Sequence, residues 1–191
     1  PTTGVKTLER LAMAFDAGGR AYVIEMRGYS EQPNDNLGRV RLLEDTDGDG
    51  KFDRSDVFAD GLSWPTAVAC WDGGVFVGAA PDIWYFKDTD GDRKADVKRR
   101  VFTGFGRGNL QGLLNSFRWG LDNRIHGATS SAGGVVTRID EVGEPIGPGV
   151  NLRGRDFAFN PRTLEIEATS GGAQHGMCFD NFGRKFVCSN S

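Results

Sequence analysis

The sequence predicts an all-β fold assembled from a repeated unit of four strands. Two observations support this prediction. One pattern of strand, turn and strand recurs four times along the 191 residues, and glycine occurs 28 times. So many glycines are typical of a chain with many tight turns, which connect many short strands. The one helix-compatible run, Leu110 to Asn115, is short and lies among glycines.

The recurring pattern is an apolar strand that ends in an aromatic residue, followed by a turn of Asp, Asn and Gly and a second strand. That turn chemistry is typical of a β-hairpin. The aromatic residues of the four copies are Phe15, Trp71, Trp119 and Phe179. They lie 56, 48 and 60 positions apart, which is close to the period of one four-stranded propeller blade.

A second hairpin is predicted between successive copies, so that each unit has four strands. The predicted strand pairs are 39–45 with 55–59, 82–88 with 98–103, and 134–140 with 156–168. We therefore predict a single β-propeller domain over residues 1–191. Its blades are expected at residues 11–60, 66–103 and 115–168, with an incomplete fourth at 175–191.

Three blades with the start of a fourth leave open edges, so we expect further blades outside these residues to close the ring, and the chain to be a fragment. A β-sandwich is the alternative architecture, because it also contains many short strands with glycine-rich turns. The regular recurrence favours the propeller.

Charge and composition exclude several classes of partner. The formal net charge is −3, from 23 basic and 26 acidic residues, so nucleic acid is not expected to bind. The sequence contains no run of about 18 apolar residues, which a transmembrane segment would need, and no signal peptide pattern opens the chain. Cys70, Cys178 and Cys188 show neither a haem attachment motif nor zinc spacing, so they are interpreted as core residues.

Two acidic loops give the strongest chemical signal. The stretch DTDGDGKFD begins at Asp45, and DTDGDRKAD begins 43 residues later at Asp88. Carboxylates at positions 1, 3, 5 and 9, with a main-chain carbonyl at position 7, are the oxygen ligands of a calcium loop. The predicted ligands are Asp45, Asp47, Asp49, Lys51, Asp53 and Asp56 in the first loop, and Asp88, Asp90, Asp92, Lys94 and Asp96 in the second.

In these loops the two lysines would contribute their backbone carbonyls, and calcium would be structural. The first loop has Gly50 at the sharp-turn position. In the second loop Arg93 replaces that glycine, at a position that favours a positive φ. A solvated acidic turn without an ion is the alternative interpretation. Because of Arg93, the second loop fits this alternative better than the first loop does.

Long segments of the chain resemble a known family. They include GRAYVIEMRGY (19–29), both DTDGD loops, GLSWPTAVACWDGGVFVGAAPDIWYF (61–86), LLNSFRWGLDNRIHGATSSAGG (113–134) and residues 172–191. These resemble the N-terminal propeller of the membrane-bound dehydrogenase family of planctomycete-type bacteria. The resemblance implies a periplasmic or extracellular location and a cytochrome c domain in cis or in trans, with haem c only outside this chain.

That propeller is in turn distantly similar to the soluble quinoprotein glucose and sorbosone dehydrogenases, which bind pyrroloquinoline quinone and calcium. When the four aromatic residues are aligned, the positions four residues earlier include two polar residues, Asn115 and His175. We expect both to face the wetter mouth of a central funnel. The resemblance implies that His175 acts as the base that takes the hydroxyl proton. A structural histidine or a surface-loop residue is the alternative.

Two further residues are assigned by their positions on the predicted strands. Arg118 precedes Trp119 and is a candidate funnel-facing cation that binds an anionic group, although a solvated blade face would also explain it. His126 aligns with Tyr22, Phe76 and Phe186, so we predict a packed, hydrogen-bonded core histidine. The run from Gly104 to Gly112 lacks the spacing of a dinucleotide-binding loop.

The sequence leaves two function classes open. The first is a periplasmic dehydrogenase that oxidises an alcohol or carbohydrate hydroxyl through a bound quinone and passes electrons to cytochrome c. Its predicted catalytic residues are His175, Asn115 and Arg118. The second is a non-catalytic, calcium-stabilised propeller that binds a ligand or serves as a scaffold, since propellers support many functions.

Overall fold

The computed structural model of this protein describes residues 8–28, 32 and 34–188. The fold is all-β, as predicted. The last three residues of the predicted fourth blade, and Tyr29 of the first resemblance segment, lie outside the described residues. In the part of the chain that is described, no helix has both the length and the apolar character needed to cross a bilayer.

The strands follow one another with short turns. They are β1 (Leu8–Phe15), β2 (Ala21–Arg27), β3 (Gly38–Glu44), β4 (Arg54–Leu62), β5 (Ala67–Trp71), β6 (Gly74–Ala79), β7 (Asp82–Lys87), β8 (Val97–Phe105), β9 (Asn115–Trp119), β10 (Ile125–Ala128), β11 (Gly134–Ile139), β12 (Pro145–Asn151), β13 (Asp156–Phe159), β14 (Ile166–Thr169), β15 (Met177–Phe179) and β16 (Lys185–Val187). The helix-compatible run forms only a 3-10 turn, Leu110–Gly112.

These strands form four antiparallel sheets. Sheet 1 is the meander β1-β2-β3-β4, and sheet 2 contains the meander β5-β6-β7-β8. Both therefore have the two hairpins that the repeat predicted. Sheet 3 has the order β14-β13-β10-β9, and β15 and β16 form a two-stranded hairpin.

The predicted pairing of residues 134–140 with residues 156–168 is wrong. The strand β11 pairs instead with the outer edge of sheet 2, where Thr137 lies opposite Thr103 and Arg138 opposite Phe102. The hairpin of β11 and β12 thus extends sheet 2 to six strands. Pairing with β8 covers backbone groups that would otherwise form an open edge.

The segment predicted as one strand at 156–168 folds as the hairpin of β13 and β14. Its turn is closed by hydrogen bonds from Asn160 N to Glu165 O (2.9 Å) and from Leu164 N to Asn160 O (2.8 Å). Pro161 has no backbone N–H and a fixed φ, so the extended run is interrupted there. Sheet 3 therefore obtains its third and fourth strands from this segment alone.

Two large hydrophobic cores lie on the two faces of sheet 2. The core against sheet 1 includes Tyr22, Ile24, Leu42, Phe58, Val75 and Val77. The core against sheet 3 includes Phe76, Ile83, Phe102, Phe117, Phe157 and Phe159. Every residue of β6 is buried, because its side chains alternate between the two cores.

The first strands of the sheets lie side by side in chain order. Strand β5 contacts β1 on one side and β9 on the other, and β9 also contacts β15. A smaller core of Ala128, Ala173 and Met177 joins sheet 3 to the last hairpin. Consecutive sheets therefore stack face to face, and the ends of their first strands come together at one surface.

Candidate functional site

The first acidic loop connects β3 to β4 and brings three carboxylates together. Asp45 accepts hydrogen bonds from Gly48 N (2.7 Å) and Gly50 N (2.8 Å). Asp47 and Asp49 each accept one from the backbone two residues later, at 3.1 and 2.8 Å. One oxygen of each carboxylate lies within 4.8 Å of the others. This set of hard oxygen donors fits a calcium ion.

The second acidic loop, between β7 and β8, repeats this arrangement. Asp88 accepts from Gly91 N (2.7 Å) and Arg93 N (2.9 Å), and the triad of Asp88, Asp90 and Asp92 is equally close. Arg93 has a φ of 74° where Gly50 has 86°. The positive φ expected from the loop motif is thus adopted by an arginine, whose guanidinium pairs with Glu44 and with Asp56.

The predicted ligands at positions 9 and 12 bind elsewhere. Asp53 accepts from the backbone N (3.1 Å) and hydroxyl (2.7 Å) of Thr46, and Asp96 binds Thr89 in the same way. Asp56 pairs with Arg54 at 3.0 Å. The structure therefore brings together only the aspartates at positions 1, 3 and 5 of each loop.

Hydrogen bonds stabilise the ionised form of three of the loop aspartates. The backbone N–H of Gly50 lowers the pKa of Asp45, and the ammonium of Lys51 lowers the pKa of Asp49. The Thr89 hydroxyl lowers the pKa of Asp96. Carboxylates held in the charged form are the form that binds a divalent cation.

The three predicted catalytic residues do not form one constellation. Asn115 is only 2% exposed, so the expectation that it faces a wetter environment is wrong. Its side-chain amide donates to the backbone carbonyls of Leu113 (2.8 Å) and Gln174 (3.0 Å). This joins β9 to the segment that precedes β15. His175 is exposed, and its ring forms no hydrogen bond or ion pair with any residue that the structure describes.

A quinone that carries carboxylates needs cations around it. Asn115 is neutral, and its side-chain N–H groups already donate to the backbone carbonyls of Leu113 and Gln174. It therefore supplies no cation beside His175. These residues therefore do not fit that cofactor, and no step is derived through it. Arg118 is exposed at the end of β9 and lines a cleft that includes neither Asn115 nor His175.

The packed role predicted for His126 is confirmed. The side chain is buried on β10, and its Nε2 lies 3.1 Å from both carboxylate oxygens of Asp122. The ring packs edge-on against Phe179, with 4.9 Å between centroids. His126 therefore helps to attach the last hairpin to sheet 3.

A cleft at the ends of three first strands was not predicted as a site. Its volume is about 940 Å³, and it is lined by the ends of β1, β5 and β9. The rings of Trp71 and Trp119 lie 5.7 Å apart at this cleft, tilted by 41°. A smaller cleft of about 400 Å³ shares Trp71 and Asp72 and adds Arg99 and Arg162. We name the two together the tryptophan cleft.

The aromatic residue that ends each first strand was the sequence signal for this surface. It marked the repeat, and the same positions, Phe15, Trp71 and Trp119, line the tryptophan cleft. Trp119 is 41% exposed and Phe15 55% exposed. Exposed indoles beside charged groups are typical of binding surfaces rather than of cores.

Most carboxylates of the tryptophan cleft already have a cation. Asp16 pairs with Arg20 at 2.8 Å, Asp72 with Lys87 at 3.2 Å, and Glu44 with Arg93. In contrast, Arg99, Arg118 and Arg162 form no ion pair with any described residue. The uncompensated charge of the cleft is therefore positive.

Cys70 also lines the tryptophan cleft. Burial raises the pKa of its thiol to about 11, so the sulfur stays protonated at neutral pH. Cys70 is half-buried, whereas Cys178 and Cys188 are exposed, so the interpretation of these two as core residues is wrong.

A comparison with known proteins identifies the family of this chain. The model of a family described as a domain of unknown function, DUF7133, matches residues 7–191. The chain belongs to this family. A search of curated proteins gave no match for this DUF7133 chain.

Solved structures similar to the DUF7133 chain include a luciferin-regenerating enzyme, with a TM-score of 0.50, 11% identity, and coverage of 88% of this chain and 61% of that chain. A polysaccharide lyase, a PL25 ulvan lyase, has a TM-score of 0.42, 12% identity, and coverage of 84% and 41%. The DUF7133 chain thus spans less than two thirds of each of these proteins. The first likeness concerns the fold alone.

Proposed function

We propose that this DUF7133 domain is a ligand-binding β-propeller stabilised by calcium. The tryptophan cleft is the observation that carries the binding role. Its larger part has a volume of about 940 Å³, that part is lined by two indoles, and the tryptophan cleft contains arginines that form no ion pair with a described residue. A concave surface with a few convergent polar groups and exposed aromatic rings is the common form of a binding site.

Two features support the propeller. Sheet 2 is covered on both faces, and the first strands of the sheets lie side by side in chain order. A propeller is built from such stacked sheets, whose first strands lie together around one axis.

Calcium is proposed as a structural ligand of the two acidic loops. The triads of Asp45, Asp47 and Asp49 and of Asp88, Asp90 and Asp92 would hold the ion. The carbonyls of Lys51 and Lys94 are proposed as additional ligands. The periplasmic or extracellular location that the family resemblance implies would supply calcium at millimolar concentration.

The binding role is tested by ¹⁵N-labelled NMR on the full-length protein with a library of small fragments. The described chain has four tryptophans, and each gives one indole N–H signal. Trp71 and Trp119 line the cleft, whereas Trp64 and Trp84 lie elsewhere. Fragments that bind should shift the first two signals and leave the others unchanged, and in Trp119→Ala the fragments should no longer shift the signal of Trp71. A library that never shifts the Trp71 and Trp119 signals would exclude the binding role.

A periplasmic oxidoreductase is the second candidate function. The exposed imidazole of His175, beside the segment held by Asn115, is the observation that favours it. It would oxidise an alcohol or carbohydrate hydroxyl, with His175 taking the hydroxyl proton and a cytochrome c domain in cis or in trans as the electron acceptor. Full-length protein should then reduce a dye that replaces the cytochrome, and His175→Gln should lower turnover by about 10² to 10⁴. No dye reduction with any alcohol or sugar would exclude this candidate.

A further inference from the structure

We infer that the tryptophan cleft binds an acidic sugar, that is, a hydroxylated ring that carries a carboxylate or sulfate group. The inference deepens the proposed binding role and rests on it. Three features of the cleft point to this ligand, and each corresponds to one part of its chemistry: the indole surface, the unpaired arginines and the fixed carboxylates.

The indole surface fits the apolar face of a sugar ring. Trp71 and Trp119 form one aromatic surface, since their rings are in contact, with centroids 5.7 Å apart and a tilt of 41°. Tyr85 supports this surface, because its hydroxyl donates to the backbone carbonyl of Trp71 at 3.1 Å. Large, rigid aromatic side chains bind flat apolar surfaces with little loss of conformational entropy.

The arginines supply the charge that an anionic substituent needs. The guanidinium carbon of Arg162 lies 5.5 Å from the centroid of the Trp71 ring, and Arg118 is next to Trp119 in the chain. Neither side chain pairs with a carboxylate in the described chain. A planar guanidinium can bind a carboxylate or sulfate with two parallel hydrogen bonds.

The carboxylates distinguish a sugar from a simple anion. Asp16 and Asp72 line the same surface and are held in place by Arg20 and Lys87. A sulfate ion has no hydrogen-bond donor for these groups, whereas the hydroxyls of a sugar would donate hydrogen bonds to them. Acceptors and cations beside an aromatic surface thus match a ring that carries hydroxyls and one negative group.

This site is separate from the candidate catalytic position. His175 does not line the tryptophan cleft, and it lies just before β15, whereas Trp71, Trp119 and Phe15 mark the opposite ends of the first strands. Acidic sugar binding is therefore expected whether or not the protein has dehydrogenase activity.

The test is an NMR and calorimetric titration of the full-length protein with a glucuronate-containing disaccharide and with cellobiose as its neutral counterpart. We expect the acidic disaccharide to bind about tenfold more tightly and to shift the indole signals of Trp71 and Trp119. Arg118→Gln and Arg162→Gln should remove most of that preference without changing the affinity for cellobiose. Trp119→Ala should lower the affinity for both ligands. Phe182→Ala and Arg184→Gln are matched controls, because they alter an exposed aromatic–arginine pair in the β15–β16 turn.

Several outcomes would overturn the inference. Equal affinity for the acidic and neutral disaccharides would exclude the role of the arginines. Tighter binding of adenosine monophosphate, or of sulfate alone, would show that the cleft recognises a nucleotide or a simple anion. If no saccharide binds but fragments still shift the two indole signals, only the sugar assignment fails. If neither binds, the proposed function fails as well.

Discussion

At the scale of single residues, one buried ion pair attaches the last hairpin to sheet 3. Asp156 at the start of β13 has no exposed surface. Its carboxylate accepts from Lys185 Nζ at 2.8 Å and from the backbone N of Ala173 at 3.0 Å. Lys185 in turn donates to the carbonyl of Ser170. A carboxylate in this position stays buried only while its cation is present.

We predict that Lys185→Met lowers the free energy of unfolding by about 3 kcal/mol, because it leaves the carboxylate of Asp156 buried without its partner. Urea unfolding of the variant would measure this change. Arg184→Gln is the control, since it breaks the exposed pair with Asp180 and should cost less than about 1 kcal/mol. Equal costs for the two variants would contradict a special role for the buried pair.

At the scale of elements, the two acidic loops are held by one pattern of hydrogen bonds, although one has glycine and the other arginine at the sixth position. Arg93 contributes a second function there, because its guanidinium reaches Glu44 and Asp56 of sheet 1. The backbone N of Ala95 also donates to the carbonyl of Phe58 at 2.8 Å. The second loop therefore ties sheet 2 to sheet 1, and an ion bound in it would stabilise both.

We predict that removal of calcium by a chelator lowers the melting temperature by roughly 5 to 10 °C. An ion present at about 100 times its dissociation constant adds about 2.7 kcal/mol to the folded state, and each kcal/mol shifts the melting temperature of a domain this size by about 2 to 4 °C. Asp47→Asn should reproduce part of the effect and reduce the response to calcium.

Asp60→Asn is the matched control for this loop variant, because Asp60 is an exposed aspartate outside both triads. Its melting temperature and its calcium response should equal those of the unmodified protein. A melting curve that stays the same in excess chelator would show that the loops are solvated turns without an ion.

At the scale of the whole molecule, sheet 2 is the centre of the structure because both of its faces are buried. Neighbouring residues of β6 point into different cores: Val77 packs towards sheet 1 and Phe76 towards sheet 3. Loss of packing on one face must therefore disturb the strand that also supports the other face. The sheets should unfold together rather than one after another.

We predict that Val77→Ala lowers the free energy of unfolding by about 2 to 3 kcal/mol and still gives a single cooperative transition. Calorimetry would check this, since the calorimetric and van't Hoff enthalpies should agree for a two-state change. Val142→Ala, at a side chain that is 82% exposed, should leave stability nearly unchanged. Two separate transitions in Val77→Ala would mean that the sheets unfold independently.

The sequence by itself determined the features that depend on neighbouring residues. The recurring apolar strands and hairpin turns predicted the strands of sheets 1 and 2. The spacing of aspartates predicted two acidic loops, in which the structure brings the carboxylates at positions 1, 3 and 5 together. The alignment of the repeat also predicted that His126 is packed and hydrogen-bonded. Each of these depends on local backbone geometry, which a short stretch of residues specifies.

Only the tertiary structure decided which strands pair across long separations and what covers each side chain. The pairing of β11 with β8 and the hairpin within residues 156–168 depend on competition between sheet edges. Asn115 is polar yet buried, because backbone carbonyls from two distant segments meet its amide. The tryptophan cleft forms because three first strands end at the same surface. These arrangements arise from contacts between residues far apart in the chain, so local sequence patterns do not encode them.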